Sequence, residues 1–384
     1  MNKRLLLISS NSSDRGGGER YLIYLTKGLR LLDCEVHVLL STASYMDNWA
    51  KLLIIEGAHV HRKNLLGLRS RPLRFVQSIV DQNQQLEIAK SCQQISPDAI
   101  LVNQQYDEDG LDYVAGALMS QVAPVGGIIH MPMTAHKHQR LLGNFRGKLL
   151  RKWYKKHPYS LILVSKDSQK EFENYYSYPR PTKVVNHGCE FSEIITSHPS
   201  LPSKWSEPLP IIGFSGQFVL QKNLQLLIDA WLWTIKQGMR SRLLLIGDGP
   251  ERQNLDKYLR ENAPENTWYI TGWQEHPEAY LSVLDIYAMT SHFEGLPLAL
   301  IEAAGRGIPA VVTNFNGASD IAEHALWVSV ATDASPESFG NTLINSINQL
   351  SWLKQQATNG QQDFQKYFSL QRMASETLVA LGIA

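Results

Sequence analysis

Glu294 and Glu302 lie eight positions apart in the run Ser-His-Phe-Glu-Gly-Leu-Pro-Leu-Ala-Leu-Ile-Glu-Ala-Ala-Gly-Arg-Gly-Ile-Pro over residues 291–309, where Glu302 is the only charged residue between Gly295 and Gly305. Pro297 suits the first turn of a helix, and Gly305 and Gly307 form its stop signal. Glu294 then falls in the loop before the helix, and Glu302 falls within it on a face shared with Leu298 and Ala299. Burying a carboxylate without a partner costs on the order of several kcal/mol. On a structural reading Glu302 caps a neighbouring backbone or pairs with an internal arginine, and on a functional reading it serves a site.

Other segments carry chemistry of their own. Gly16-Gly17-Gly18-Glu19-Arg20 follows the first apolar run and opens a helix, where backbone amides can approach an anion closely. A dinucleotide fingerprint would need a third glycine at position 21, where Tyr21 stands, and Gly247-Asp248-Gly249 fails the same test at Arg252. Either loop also reads as a plain strand-to-helix turn. Gly213-Phe-Ser-Gly216-Gln217-Phe-Val-Leu-Gln-Lys222-Asn223 lies between a strand and a helix, so Lys222 can meet a phosphate as a point charge or stand solvated at a helix start. His130 closes a strand.

These positions need a scaffold of repeated strand-to-helix units. Short apolar runs near 4–9, 36–41, 98–103, 125–130, 160–165 and 182–186 alternate with amphipathic stretches, and the alternation restarts near 209–215, 242–247, 267–271, 285–290, 309–313 and 326–330. That pattern predicts parallel sheets wrapped by helices. Prolines 199, 202, 208 and 210 mark a linker. The expected division is residues 1–200, residues 208–360, and a C-terminal helical stretch over 361–384 that packs back on the first domain. A length of 384 residues, 43% apolar and 19% charged, fits two globular domains. The net charge of +1 argues against a nucleic-acid binder. Cys34, Cys92 and Cys189 are too scattered for a disulfide framework or a cysteine zinc site, which points to a reducing compartment. The first ten residues hold too short an apolar run for a signal segment, and no stretch reaches the roughly 18 apolar residues of a membrane-crossing helix.

In their order along the chain, these motifs resemble the retaining glycosyltransferases of the GT-B architecture, family 4, often called glycosyl transferases group 1. The resemblance rests on Gly-Gln-Phe-Val-Leu-Gln-Lys-Asn at 216–223, Gly-Asp-Gly-Pro-Glu-Arg at 247–252, Glu-Gly-Leu-Pro at 294–297 with Glu302, and Gly-Ala-Ser-Asp at 317–320. In the first half it rests on Gly-Gly-Gly-Glu-Arg at 16–20, His130 and Asn186-His187-Gly188. It implies an α/β fold of two doubly wound Rossmann-like domains facing across a cleft. It also implies transfer of a hexose-type sugar from a nucleotide-diphospho-sugar, with retention of anomeric configuration and without a metal or other cofactor. UDP is favoured over GDP because the family uses it often. By the resemblance Lys222 binds the diphosphate, Gly16, Gly17 and Gly18 approach it or the sugar, and Glu302 holds the ribose hydroxyls. Glu294 holds the sugar, the amides of Gly295 and Leu296 reach the phosphates, and His130 touches the sugar or the acceptor. Gly216 and Gln217 line the same donor site, and Gln217 stands where the family usually has an arginine, a departure that favours the alternative of a non-catalytic nucleotide-sugar-binding or partner subunit.

Residues 137–157 contain eight lysines and arginines and no acid, interleaved with Leu141, Leu142, Phe145, Leu149, Leu150, Trp153 and Tyr154. Such a segment either lies on an anionic membrane or forms the solvated face of a helix packed on its own domain. The functional reading gives a cytoplasmic protein, peripheral on the inner face of the cell membrane. Its acceptor is a glycan or lipid-linked molecule of surface polysaccharide or lipopolysaccharide biosynthesis.

Overall fold

The computed structural model describes residues 2–9, 17–67, 74–132, 143–191 and 199–383. Two compact units divide the chain, one of Met1–Gly188 with Phe368–Ala384 and one of Cys189–Tyr367. In the first, strands β1 (Arg4–Ser9), β2 (Glu35–Ser41), β3 (His59–Lys63), β4 (Ala99–Tyr106), β5 (Val125–Met131), β6 (Ser160–Leu163) and β7 (Lys183–Val184) form a parallel sheet in the order β3-β2-β1-β4-β5-β6-β7. In the second, β8 (Ile211–Ser215), β9 (Arg242–Ile246), β10 (Trp268–Ile270), β11 (Ile286–Met289), β12 (Ala310–Val312) and β13 (Val328–Val330) form another, ordered β10-β9-β8-β11-β12-β13. These are the two Rossmann-like domains of the GT-B architecture. Helices cover both faces of such sheets, so central strands read as continuous apolar runs. Leu5, Leu6, Leu7 and Ile8 of β1 and Leu243, Leu244 and Leu245 of β9 are fully buried.

Strand β3 is not foreseen by the apolar runs. His-Val-His-Arg-Lys carries one aliphatic residue and forms the edge of its sheet, where one flank stays polar and the apolar signal fades. Strand order reverses beside β1, where β4 is added on the side away from β2, and again beside β8, where β11 lies opposite β9. In open parallel sheets the loops at the carboxyl ends of such neighbours splay apart and leave room for a ligand. The Lys222 turn after β8 and the Glu294 loop after β11 leave from such ends, and the helix Gly17–Arg30 is the element that follows β1.

The helix Leu370–Leu381 completes the first unit. Ser369 caps it by accepting from the Arg372 amide, and Arg372 donates to the Asn186 carbonyl at 2.8 Å. It lies so close to the helix Gly17–Arg30 that a Cβ at Gly28 would sit 2.4 Å from the Leu370 carbonyl oxygen. Gly28→Ala is therefore expected to lower stability by about 1–3 kcal/mol through overpacking, read as a shifted denaturation midpoint with unchanged slope.

Candidate functional site

In the second unit a short 3₁₀ turn, Leu220–Lys222, follows β8. Lys222 Nζ donates to Glu294 Oε1 at 2.6 Å, with 19% of the lysine side chain and 7% of the glutamate side chain exposed. The contact is positioned through the backbone. Gln221 donates its side-chain amide to the Phe293 carbonyl at 2.9 Å, and its own carbonyl accepts from the His292 amide at 2.9 Å. Thr290 Oγ1 donates to the carbonyls of Lys222 and Asn223 at 3.2 and 3.0 Å. On the other side Gly317, at φ +82, lets its loop come so close that a Cβ would lie 2.4 Å from the Gly295 oxygen. Phe218 donates to the Asp248 carbonyl at 2.9 Å, so the Gly216 turn and the Gly247-Asp248-Gly249 turn are one packed layer. The loops after β8, β9, β11 and β12 are thus locked together, and the charge pair sits among them.

The helix after Glu294 is Leu298–Gly305, with Pro297 at its N-cap, and it ends through Arg306 and Gly307 at φ +75. Leu300, Ile301, Ala303 and Ala304 are buried, whereas Leu298, Ala299 and Glu302 are half-buried on the opposite face. The expectation of a buried carboxylate holds for Glu294 and needs correction for Glu302, whose face of the helix stays partly open. Cys189 Sγ lies 3.8 Å from Glu302 Oε1. Behind both acids, Tyr287 donates to the Ser215 carbonyl at 3.2 Å. Burial first, and then the negative charges of Glu294 and Glu302, push its hydroxyl well above the usual phenol range. The first turn of the helix leaves amides without intrahelical partners, a positive end suited to an anion.

The first unit builds its part from neutral groups. Asn103 on β4 donates through Nδ2 to the Gly18 carbonyl at 3.2 Å. Its Oδ1 therefore faces His130 Nε2, 2.7 Å away, and accepts from it. His130 Nδ1 is then an acceptor and takes its hydrogen bond from His187 Nε2 at 3.0 Å. Tyr21 stands edge-on to His130 with ring centroids 4.8 Å apart. A Cβ at Gly18 would meet Gln105 Oε1 at 2.6 Å and His130 Cδ2 at 3.5 Å, so the helix start rests directly on this network and a larger residue would have to displace the Gln105 side chain. Gly17 is exposed, Gly18 is buried, and Gly16 lies outside the described residues. Burial first, and then the neighbouring His187, hold His130 well below the ordinary histidine range. Asn103 stood in no motif, and His187 and Gln221, although within the motifs at 186–188 and 216–223, had no role assigned, because each acts through a partner remote in sequence.

Gln217, in place of the family's arginine, is exposed. Arg252 lies 3.8 Å from Asp248, and exposed Arg20 lies 5.8 Å from the ring of Tyr24. In the basic segment, residues 137–142 lie outside the described residues, and the helix Gly143–Lys156 follows. Leu150, Trp153 and Tyr154 are buried in the core of the first unit, Arg146 pairs with Glu108, and Arg151 donates to the Tyr175 carbonyl at 2.7 Å. Phe145, Lys148, Lys152, Lys155 and Lys156 face solvent. Among the described residues no helix is long and apolar enough to cross a membrane.

Comparison with known proteins adds a relationship to this geometry. The family model described as Glycosyltransferase Family 4 matches residues 15–193, and the one described as Glycosyl transferases group 1 matches residues 209–349. The chain belongs to the family 4 glycosyltransferases. Its curated relatives include the amylovoran biosynthesis glycosyltransferase AmsD of Erwinia amylovora, 35% identical over 96 residues, 25% of this chain and 27% of that protein. Another is the lipopolysaccharide core biosynthesis glycosyltransferase LpsE of Rhizobium meliloti (strain 1021), 31% identical over 108 residues, 28% of this chain and 31% of that protein. The matched stretches thus span about a third or less of these relatives. Among solved structures, Anabaena HepE in complex with UDP and glucose superposes over 100% of both chains with a TM-score of 0.75 at 18% identity, a likeness of fold.

In this family 4 protein the neutral His130 links site geometry to pH. An unfolded histidine binds a proton below about pH 6.5 and the buried one does not, so its contribution to stability is full above that pH and is lost as pH falls toward the depressed folded value. The melting temperature is expected to drop between about pH 7.5 and 5.5, and His130→Asn to flatten that slope. An equal slope in the variant would assign the proton uptake elsewhere.

Proposed function

We propose that this protein transfers a hexose-type sugar from a nucleotide-diphospho-sugar to a glycan or lipid-linked acceptor, with retention of configuration, in surface polysaccharide or lipopolysaccharide biosynthesis. The observation that carries the reading is the Lys222–Glu294 pair at the carboxyl ends of β8 and β11 beside the start of a helix. A donor diphosphate offers Lys222 a stronger anionic partner, and the exchange turns Glu294 toward the sugar. There its carboxylate holds hydroxyls and faces the positive charge that builds at the anomeric carbon as the bond to the diphosphate breaks. The amides of Gly295, Leu296 and the first helical turn stabilise the departing diphosphate. Glu302, on the partly open face of that helix, accepts from the ribose hydroxyls. Gly216 and Gln217 line the donor side without a charge. Lysine and helix end neutralise the leaving group on this reading, so no metal ion is needed for transfer.

For Gly17 and Gly18 the family resemblance supports a role toward the diphosphate or the sugar, and for His130 a role toward the sugar or the acceptor. UDP is the proposed donor nucleotide, supported by the fold neighbour HepE, described in complex with UDP-glucose. The relatives named for amylovoran and lipopolysaccharide core biosynthesis support the acceptor class.

Thermal shift with UDP, GDP, ADP and their glucose conjugates tests the donor assignment. At about 100-fold excess over Kd the preferred nucleotide adds roughly 2.7 kcal/mol of stability. Glu302→Ala is expected to remove most of that shift, and Lys222→Ala to slow transfer by about 100-fold or more. Binding of a nucleotide sugar with neither transfer nor hydrolysis would favour the non-catalytic alternative that Gln217 suggests.

The exposed lysines 148, 152, 155 and 156 with Phe145 are proposed to hold the helix Gly143–Lys156 against an anionic bilayer. Flotation with phosphatidylglycerol vesicles is expected to carry the protein, and replacing the four lysines by glutamine is expected to weaken binding by roughly 4 kcal/mol, about 1 per lysine. Equal flotation of the variant would leave these lysines as a solvated helix face.

A further inference from the structure

A second group of side chains capable of coordination chemistry lies at the other end of the first sheet. Glu35 and His37 occupy alternate positions on β2, and His59 and His61 alternate positions on β3, so all four project from one face. Register places His37 opposite His59, and His61 is the diagonal neighbour. His37 Nε2 lies 3.0 Å from Glu35 Oε1, and its Nδ1 lies 2.8 Å from His61 Nε2. One donor atom from each of Glu35, His37 and His59 falls within 4.8 Å of the others.

We propose that Glu35, His37 and His59 bind one divalent transition-metal ion of the zinc type, with His61 as the outer partner that orients His37. The donor set of two imidazoles and a carboxylate is one that zinc favours, and donors at about 2.1 Å from such an ion lie roughly 3.4 Å apart. Glu35 and His37 already stand near that separation. His59 is exposed and can close the remainder by side-chain rotation. A ligating histidine normally donates its other ring N–H to an acceptor, and His61 Nε2 stands where His37 Nδ1–H would donate. The carboxylate is fixed in the same way, since Arg4 Nε donates to Glu35 Oε2 at 3.0 Å and leaves Oε1 toward the histidines.

The neighbouring cations do not oppose such an ion alone. Lys63 lies 3.2 Å from Glu87, and Arg4, which shares Glu35 with the ion, also donates to the Ile95 carbonyl at 3.1 Å. A cavity of about 330 Å³ lined by Arg4, His37, His61, Lys63, Ser91 and Gln94 adjoins the cluster and gives water access to a fourth coordination position. The ligands sit in the first half of their strands, whereas the Gly18, Asn103 and His130 network lies at the carboxyl ends. An ion here would tie the edge strand β3 to β2 and act on the stability of the first unit.

Calorimetric titration of the tag-free full chain with zinc chloride, with zinc content measured after dialysis, tests it. One equivalent binding with Kd of about 10 µM or tighter is expected, together with a rise in melting temperature. His59→Ala, at an exposed position that folding tolerates, is expected to weaken binding at least tenfold, and His61→Ala by about 10–100-fold. Weaker or non-stoichiometric uptake by the unaltered protein, or equal uptake by the His37→Ala and His59→Ala variants, would overturn the assignment.

Discussion

A lysine and a glutamate 72 positions apart are joined by a hydrogen bond of 2.6 Å in the second unit, and the loops around them are arranged to keep that contact. Charges removed from water need each other's company and good geometry, because a misplaced partner leaves a desolvation cost uncompensated. The structure meets this demand with backbone: Gln221, His292 and Phe293 join the two loops on one side, and Gly317 allows close approach on the other. An ion pair held this way is strong enough to be ordered and, with the lysine 19% exposed, open enough to exchange partners. On the proposed reading that exchange couples donor binding to the placement of the carboxylate beside the sugar.

The first unit meets a similar positioning demand without charge. Gly18, Asn103, His130 and His187 form one hydrogen-bonded chain, and protonating His130 would bury a charge within it and require His187 to change tautomer. Burial and hydrogen bonding therefore agree on the neutral tautomer. Both ring nitrogens are engaged within the protein, so the structure gives His130 a part in holding Asn103 against the start of the helix Gly17–Arg30. Sheet topology places the two networks in equivalent settings, each beside the strand where the order reverses.

The sequence by itself determined the fold class, because parallel strands buried on both faces must be written as apolar runs, and the runs at β1, β4, β5, β8, β9 and β11 are unambiguous. It also marked Glu294 and Lys222, whose charges stand out against their surroundings, and the glycines, whose roles depend on local backbone. Only the tertiary structure decided which charges meet. Nothing in the spacing pairs Lys222 with Glu294, selects Asn103 as the link between Gly18 and His130, or leaves the Glu302 side of its helix partly open. Strand β3 and the Glu35, His37, His59 and His61 cluster stayed hidden for the same reason. An edge strand has little apolar pattern, and side chains on separate strands become neighbours only through register, which is fixed by the packing of the whole sheet.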